Sequence, residues 1–476
     1  MPDQTENFDN KQLGRESQMK TGDESRYETR YETENENENE NENRPDDWNY
    51  PKRNLIKLIA GYYGFIVFGM ADSSIGVLLP SLEQHYKIDY LVVSIAFLTP
   101  FTGYGVAALL SDKLHRMFGR WGVCTMGTIC QLICYIIACT APPYPVFVIA
   151  YGIGGFGNGC LESALNSWMG GLDHANQILG LLHGFYGLGG IICPASFTGI
   201  IGSGVKWNYC YFLMIGMSVI SVVFSSIAFW GDTGAHYREK IDNSDKELAS
   251  IETMTTDSIL QTDKAQNQSG NNNEQDASKN KSTSMMKEVL TNQLVWLLSA
   301  VLFLYVGAEV AFGGWISTFM IKVRHGIEKK MGYVTTGFWA GLTIGRMIIG
   351  FLIGHYGAED YFVLGFLSAS IGFLLIIWLV PVLVLSAVFA GLFGVAIGPL
   401  FPTIVVAAMK KLPVRLHVSG VGFCVAIGGA GAAIPPFING VVANKFGPRV
   451  LGPFEVVLLG LMLATWIVVI RFHPSK

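Results

Sequence analysis

The chain has 476 residues, of which 50% are hydrophobic and only 15% are charged, and its mean hydropathy is +0.36. A soluble protein of this length is expected to carry more charge, whereas the many glycines (55) and phenylalanines (29) are typical of helices packed in lipid. The formal net charge of −4 comes largely from a polar N-terminus, and no basic stripe suggests a nucleic-acid partner.

The N-terminal segment, residues 1–52, differs in composition from the rest of the chain. It is rich in Asn, Glu, Asp and Thr, and Glu and Asn alternate from Glu34 to Glu42. Such a segment cannot bury enough apolar surface to offset the entropy lost on ordering. We therefore expect a disordered tail, located in the cytosol.

Twelve apolar runs follow, each close to the roughly 20 residues that cross a bilayer as a helix. A polar stretch at 231–288 separates six runs from six and is predicted to be a cytosolic linker. The sequence thus predicts an all-α integral membrane protein with an N-terminal six-helix bundle at 53–230 and a C-terminal one at 289–476. The predicted spans are 54–79, 91–111, 122–141, 145–169, 178–203, 208–230, 290–320, 332–354, 361–379, 381–408, 417–443 and 450–471.

The flanks of the spans carry unequal numbers of Lys and Arg. More of these residues lie on the side of the termini and the linker, although a cluster from Arg324 to Lys330 lies on the other side. Because cytosolic loops are enriched in Lys and Arg, both termini and the linker are predicted to be cytosolic. Either the plasma membrane or a vacuolar or other endomembrane fits this prediction.

The two halves resemble each other at a constant offset of about 240 residues. Such an offset is expected for two parallel bundles related by an axis along the membrane normal. Chance matching of glycine-rich helices is the alternative. The matched positions are Gly155 and Gly159 with Gly394 and Gly398, Pro194 and Gly199 with Pro435 and Gly440, and Gly105 with Gly345.

Four of the ionisable residues inside the predicted spans are singled out here: Asp72, Glu162, Glu309 and Arg346. A charge in the middle of a bilayer costs at least about 2.5–3.5 kcal/mol, so each is a candidate for a transport pathway or coupling site. The eight cysteines lie in apolar segments without metal-ligand spacing. With no metal, nucleophile or phosphate-binding signature, we expect neither an enzyme nor a cofactor.

The loop after the second span has an acid at a helix end followed by bases around a glycine. Asp112, Lys113, Arg116 and Arg120 could form a latch between neighbouring helices that is released as the bundles rock. The alternative is that the bases only anchor the loop in the cytosol. The pattern over residues 103–120 resembles the cytosolic loop signature of the major facilitator superfamily.

Two further stretches, 160–166 and 305–315, are similar to the fucose–galactose–glucose:proton symporter branch of that superfamily. Residues 344–346 and 401–403 also match family positions, and the resemblance covers 54–230 and 289–472. It implies the major facilitator fold and a eukaryotic, fungal member of the branch. For such a member, a cargo other than sugar is an alternative. It also implies a coupling carboxylate at the position of Glu162.

A polar stripe runs along the fourth span, where Asn158, Glu162 and Asn166 are spaced four residues apart. These side chains share one helix face, which must point into the bundle because lipid cannot solvate it. A carboxyl in surroundings of low polarity can be loaded with a proton on one side and unloaded on the other. Glu162 is the proton-carrier candidate, a structural hydrogen bond being the alternative, and the two Asn side chains are substrate-binding candidates.

Asp72 lies in the first span beside two hydroxyl side chains. The resemblance implies a carboxylate four residues before Pro80, which is the position of Gly76, so Asp72 lies one turn earlier. We predict that Asp72 faces the substrate, with an interhelical hydrogen bond as the alternative.

Aromatic side chains near the acids could cover the apolar faces of a sugar ring. Tyr305 and Trp315 in the seventh span and Tyr186 in the fifth are the candidates. Glu309 could be a second proton site, an acceptor from sugar hydroxyls or a sodium ligand.

His183 is three residues before Tyr186 and therefore shares its helix face. It could pack structurally or shuttle protons. Arg346 is expected to pair with an acid, and Glu309 is the nearest by helix order; a purely structural ion pair is the alternative.

Together these features predict a secondary active transporter of a small polar solute, with a monosaccharide as the leading cargo. The expected coupling ion is the proton, with sodium as the alternative, and the protein is expected to act as a monomer in the bilayer. The competing hypotheses are a non-transporting sensor or receptor of the same fold, and a transporter of a non-sugar solute.

Overall fold

The computed structural model of the chain describes residues 47–239, 287–349, 359–413 and 416–472. Regular structure in these ranges is helical, without a β-strand. The all-α membrane fold predicted from the sequence is therefore confirmed. Most of the predicted tail, most of the predicted linker, and the end of the eighth predicted span lie outside the described residues.

The N-terminal half contains five long helices and one short one. The long helix α3 holds both the second and the third predicted span, and Gly119 turns the chain between them with φ 67° and ψ −176°. Glycine adopts this conformation without steric cost, and a Cβ here would overlap the backbone at Asp232. The helices are α1 (Arg53–Tyr86), α2 (Tyr90–Val93), α3 (Ile95–Cys139), α4 (Tyr144–Met169), α5 (Ala175–Gly202) and α6 (Tyr211–Ala228).

The C-terminal half is more interrupted. Asn292 caps its first helix by accepting a hydrogen bond from the backbone N–H of Leu294 at 2.9 Å. The tenth and eleventh predicted spans are each divided in two. The helices are α7 (Gln293–Lys322), α8 (Glu328–Ile344) with a π-helical turn (Gly345–Ile349), α9 (Glu359–Leu379), α10 (Leu383–Ile397), α11 (Leu400–Lys411), α12 (His417–Ala430), α13 (Ile434–Phe446) and α14 (Leu451–Phe472).

Nine helical stretches in the described ranges are long and apolar enough to cross a membrane. Because Tyr90–Cys139 includes two predicted spans, these nine stretches account for ten of the twelve. The other two coincide with α4, whose polar stripe includes Glu162, and with α8. Every predicted span thus corresponds to helical residues, and the chain is an integral membrane protein.

Glycines make close helix crossings in both halves. A Cβ on Gly155 in α4 would overlap the backbone of Pro100 in α3, and one on Gly394 in α10 would overlap Phe338 in α8. This matched pair from the sequence repeat therefore lies at equivalent crossings. Gly345 also lies against backbone, whereas a Cβ on Gly105 would have no atom within 4 Å.

The two halves are in close contact near one end of their helices. We call the side with Arg53, Ala228 and Phe472 the terminal face and the other side the opposite face. Toward the opposite face, Gly76 of α1 approaches Gly313 of α7 so closely that a Cβ would lie 2.7 Å from the Gly313 carbonyl oxygen. The polar and aromatic contacts there are Glu83 with Lys322 at 3.5 Å, and Trp315 with Tyr90 and Phe97.

We predict that Gly76→Ala prevents the halves from closing at the opposite face, because the added Cβ meets backbone that cannot move aside. Overlap of this kind typically costs about 1–3 kcal/mol, so transport should fall by roughly tenfold or more. Electron–electron resonance between spin labels at Lys87 and Ile327 should report a longer distance. Gly216→Ala is the matched control because its Cβ would have no neighbour within 4 Å; equal behaviour of both variants would contradict the prediction.

Candidate transport site

The four ionisable residues singled out from the sequence come together between the two halves. Asp72 on α1 interacts electrostatically with Glu162 on α4 and with Glu309 on α7. Arg346, in the π-helical turn after α8, pairs with Glu309. These four residues and Tyr186 on α5 form what we call the central cluster.

The C-terminal half contributes an ion pair. Nη2 of Arg346 lies 2.8 Å from Oε2 of Glu309 and donates to the hydroxyl of Tyr305 at 3.0 Å. Their side chains are only 17% and 7% exposed, so each charge depends on the other for solvation. A π-helical turn adds a residue to a helical turn and is frequent at functional sites. The pairing expected from helix order is the one the structure shows.

The N-terminal half contributes two acids held by tyrosines. The hydroxyl of Tyr186 donates to Oδ2 of Asp72 at 2.9 Å, and the hydroxyl of Tyr104 interacts with Glu162. Within the described ranges, neither acid forms an ion pair with a basic side chain. The formal charge of the cluster, with three carboxylates and one guanidinium, is therefore −3 + 1 = −2 if all are ionised.

The position of Asp72 follows from packing. Gly76, where the family resemblance implies a carboxylate, lies against the backbone of α7 and has no room for a side chain. One turn earlier, Asp72 reaches Tyr186. The interhelical hydrogen bond considered from the sequence is therefore present, and it lies in the central cluster.

His183 lies at the edge of the cluster. Its ring packs edge-on against Phe65 with centroids 5.8 Å apart, and it interacts electrostatically with Arg346. The ring of Tyr186 makes similar edge contacts with Phe68 and Trp339. His183 thus has both a packing contact and a position near the charges.

The two Asn residues of the fourth span have different surroundings from Glu162. Asn158 is buried and accepts a hydrogen bond from Nε2 of Gln131 at 2.7 Å, which joins α3 to α4 inside the N-terminal half. The side-chain oxygen of Asn166 is buried without a hydrogen-bond partner. Equal spacing on a helix predicts a shared stripe, but the stripe is wide enough for its members to face different neighbours.

Trp315 lies away from the central cluster. Its indole N–H donates to the carbonyl oxygen of Pro436 at 3.1 Å, and its ring packs between Tyr90 and Phe97. Ten residues of helix separate it from Tyr305, a rise of about 15 Å. The structure places this candidate sugar-stacking residue in the contact between halves at the opposite face.

The predicted latch has a partner that the sequence did not indicate. Asp112 and Arg116 pair only with each other within α3, at 3.0 Å, with side chains 70% and 48% exposed. Arg120 instead lies 3.3 Å from Asp232, just beyond α6, and Lys57 of α1 lies 2.7 Å from the same carboxylate. Lys113 is exposed.

We call Lys57, Arg120 and Asp232 the terminal clamp. Trp168 of α4 supports it, since both basic groups lie 5.7 Å from the centroid of its ring. The clamp joins α1, α3, α4 and the end of α6, all in the N-terminal half. It holds that half together at the terminal face and makes no contact with the C-terminal half among the described residues.

Tyr104, Trp339 and Asp232 were not predicted from the sequence as residues of the site or the clamp. Tyr104 lies inside the loop signature and Trp339 in an apolar span, where aromatic residues are common and give no specific signal. Asp232 is the first acid after the sixth span, a position from which it could have been suspected.

Residues 62–436 of the chain match the Major Facilitator Superfamily. The chain belongs to this family, whose members are membrane transporters of solutes rather than enzymes. A small-molecule solute and the lipid bilayer are therefore its partners.

Two curated relatives cover most of the chain. "Bypass of stop codon protein 6" of Saccharomyces cerevisiae is 32% identical over 440 residues, covering 89% of this chain and 84% of the yeast protein. The glucose/mannose transporter GlcP of Bacillus subtilis is 22% identical over 391 residues, covering 81% and 87%.

Solved structures of similar fold include two transporters. A mutant of the peptide transporter POT in complex with sulfate has a TM-score of 0.61 at 13% identity, covering 88% of this chain and 96% of that one. A variant of the E. coli fucose:proton symporter FucP has a TM-score of 0.55 at 15% identity, covering 89% and 99%. At these identities the likeness shows the fold alone.

We predict that Asp232→Asn lowers the free energy of unfolding by about 1–3 kcal/mol, because Lys57 and Arg120 lose their shared carboxylate in a partly buried site. Thermal unfolding in detergent measures the change. Asp112→Asn serves as the control, since an exposed pair contributes only about 0–1 kcal/mol. A larger loss for Asp112→Asn would contradict the assignment of the clamp.

Removing either partner of the Arg346–Glu309 pair should destabilise the protein by about 3–5 kcal/mol, because the remaining charge is buried without compensation. The double variant Glu309→Gln with Arg346→Gln should recover most of that loss. Thermal unfolding of the two single variants and the double variant tests this. Additive losses would show that the two side chains act independently.

Proposed function

We propose that the chain is a proton-coupled transporter of a monosaccharide that works by alternating access. The observation that carries the proposal is the central cluster. Two N-terminal carboxyls there, Asp72 and Glu162, have tyrosine partners but no basic partner in the part of the chain that the structure describes, and they lie where the two halves meet. A charge in this position can be neutralised by a bound ion that travels with the cargo.

Sugar as cargo is supported by the chemistry of the cluster. Carboxylates accept hydrogen bonds from hydroxyls, and the rings of Tyr186 and Tyr305 offer faces for the C–H groups of a pyranose. The relative GlcP is named a glucose/mannose transporter and the structural neighbour FucP a fucose:proton symporter. We accordingly assign the chain to the fucose–galactose–glucose:proton symporter branch, as a fungal member related to the yeast protein.

Glu162 is the first candidate for the coupling site. Its carboxyl interacts with the hydroxyl of Tyr104, and within the described ranges no basic side chain pairs with it. Proton binding removes a charge that the protein does not otherwise offset. Glu309 is less suited to proton exchange because Arg346 lies 2.8 Å away. His183, near Arg346, is the candidate for passing protons between them.

We also propose an orientation and a working cycle. If the terminal face is cytosolic, contact between the halves at the opposite face corresponds to a state closed to the outside. The terminal clamp keeps the N-terminal half rigid while the halves rock about the central cluster. The plasma membrane or an endomembrane would both fit, and one chain contains the whole cluster, so a monomer suffices.

A cationic solute is the second candidate cargo. The formal charge of −2 in the cluster favours it, because a cation could neutralise the same carboxyls that protons would. A sensor without transport is less consistent with a cluster that keeps two acids without a basic partner among the described residues. Competition experiments with sugars and with organic cations separate these cargo classes.

The direct test uses purified protein in liposomes with an imposed pH gradient. We expect labelled hexose to accumulate with the wild type, whereas Glu162→Gln should lose accumulation and retain counterflow. Glu455→Gln is the control, because Glu455 is a fully buried carboxyl that lies in α14, outside the cluster. It should still accumulate hexose.

Other outcomes reassign the residue or the cargo. Loss of counterflow in Glu162→Gln would move Glu162 from proton coupling to cargo binding. No saturable uptake of any sugar would overturn the cargo assignment. Accumulation driven by a sodium gradient instead of a pH gradient would replace the coupling ion.

A further inference from the structure

Two buried tryptophans lie where the halves meet, and they differ in one respect. The indole N–H of Trp315 donates to the carbonyl oxygen of Pro436 at 3.1 Å. Trp339 is only 3% exposed, and its indole nitrogen is buried without a hydrogen-bond partner among the described residues. A buried N–H without an acceptor is rare and costly in native proteins, so Trp339 requires an explanation.

Glycines on two sides determine how the Trp339 ring lies. A Cβ on Gly190 of α5 would meet the ring at 3.0 Å, so the indole face lies directly on α5. On the other side, the ideal Cβ position of Gly313 is 3.4 Å from the indole nitrogen. The N–H edge of Trp339 therefore lies beside α7 at the glycine that α1 also approaches.

This edge is close to the central cluster. The ring of Trp339 contacts that of Tyr186, with centroids 6.4 Å apart, and the Tyr186 hydroxyl is the donor to Asp72. Gly313 is one turn beyond Glu309 on α7. Trp339 is thus a neighbour of the candidate cargo site on the side toward the opposite face.

The contact between Gly76 and Gly313 closes the passage at this level. Alternating access requires α1 and α7 to separate here when the opposite face opens. Separation would uncover the edge of the indole ring that carries the N–H, because that edge lies at Gly313. The N–H is therefore a donor whose accessibility depends on the state of the transporter.

We propose that Trp339 is a specificity-determining residue whose indole N–H donates a hydrogen bond to a hydroxyl of the cargo when the opposite face is open. Closing the opposite face withdraws the donor from the cargo. The cargo then loses one hydrogen bond as the terminal face opens, which favours release there. This inference rests on the proposed sugar transport and adds to it a named contact and a direction of release.

The test compares Trp339→Phe with the wild type in vesicles whose opposite face is outside, using glucose and its monodeoxy analogues as substrates. Phenylalanine keeps an aromatic ring and removes only the donor and part of the ring. We expect the KM for glucose to rise roughly 2- to 10-fold, the effect of one neutral hydrogen bond. For the one analogue that lacks the contacted hydroxyl, the KM should be the same in the variant and the wild type.

Trp315→Phe is the matched control. It also removes a buried indole N–H where the halves meet, but that N–H is already bonded to backbone. Any change in its KM should be the same for all analogues. A KM value does not depend on the amount of folded protein. A lower yield of a variant therefore does not affect the comparison.

The outcomes separate this inference from the proposed function. If the wild type shows saturable hexose uptake and Trp339→Phe has unchanged KM values, or values shifted equally for every analogue, Trp339 only packs and the inference is wrong. If the wild type takes up no hexose, the proposed function fails and the inference fails with it.

Discussion

The structure depends on the need to keep charged side chains out of contact with lipid. Arg346 and Glu309 meet this need by pairing with each other at 2.8 Å, and Tyr305 takes a further hydrogen bond from the guanidinium. Among the described residues, the partners of Asp72 and Glu162 are tyrosine hydroxyls. Within the central cluster, the C-terminal half thus supplies a compensated charge pair and the N-terminal half two acids without a basic partner among the described residues, so the halves have different electrostatic roles there.

That asymmetry fits a cycle in which one half binds the coupling ion and the other provides a fixed charge. Closure at the opposite face is made by glycine contacts such as Gly76 with Gly313, and by the pair of Glu83 with Lys322. The terminal clamp at Asp232 joins helices within the N-terminal half only. Two halves that touch at the opposite face and around the central cluster are an arrangement that allows rocking about a central site.

Much of this could be predicted from sequence, because lipid imposes strong constraints. The length of apolar runs gave the spans, and the cost of buried charge identified all four ionisable members of the central cluster. The pairing of Arg346 with Glu309 followed from helix order. Depth and rotation were not predictable: Trp315 and Tyr305 share α7 but lie nearly three turns apart, and Asn158 faces Gln131 rather than the cluster. Asp232 was missed because its partners come from distant parts of the chain.

We propose that Glu162 couples proton movement to cargo movement. The measurement that tests it most directly is the external pH of weakly buffered proteoliposomes after hexose is added without any imposed gradient. We expect wild-type protein to make the external medium more alkaline as hexose and protons enter together, and Glu162→Gln to abolish this change while hexose still exchanges. Hexose entry without any pH change in the wild type, or an unaltered pH change in Glu162→Gln, would contradict it.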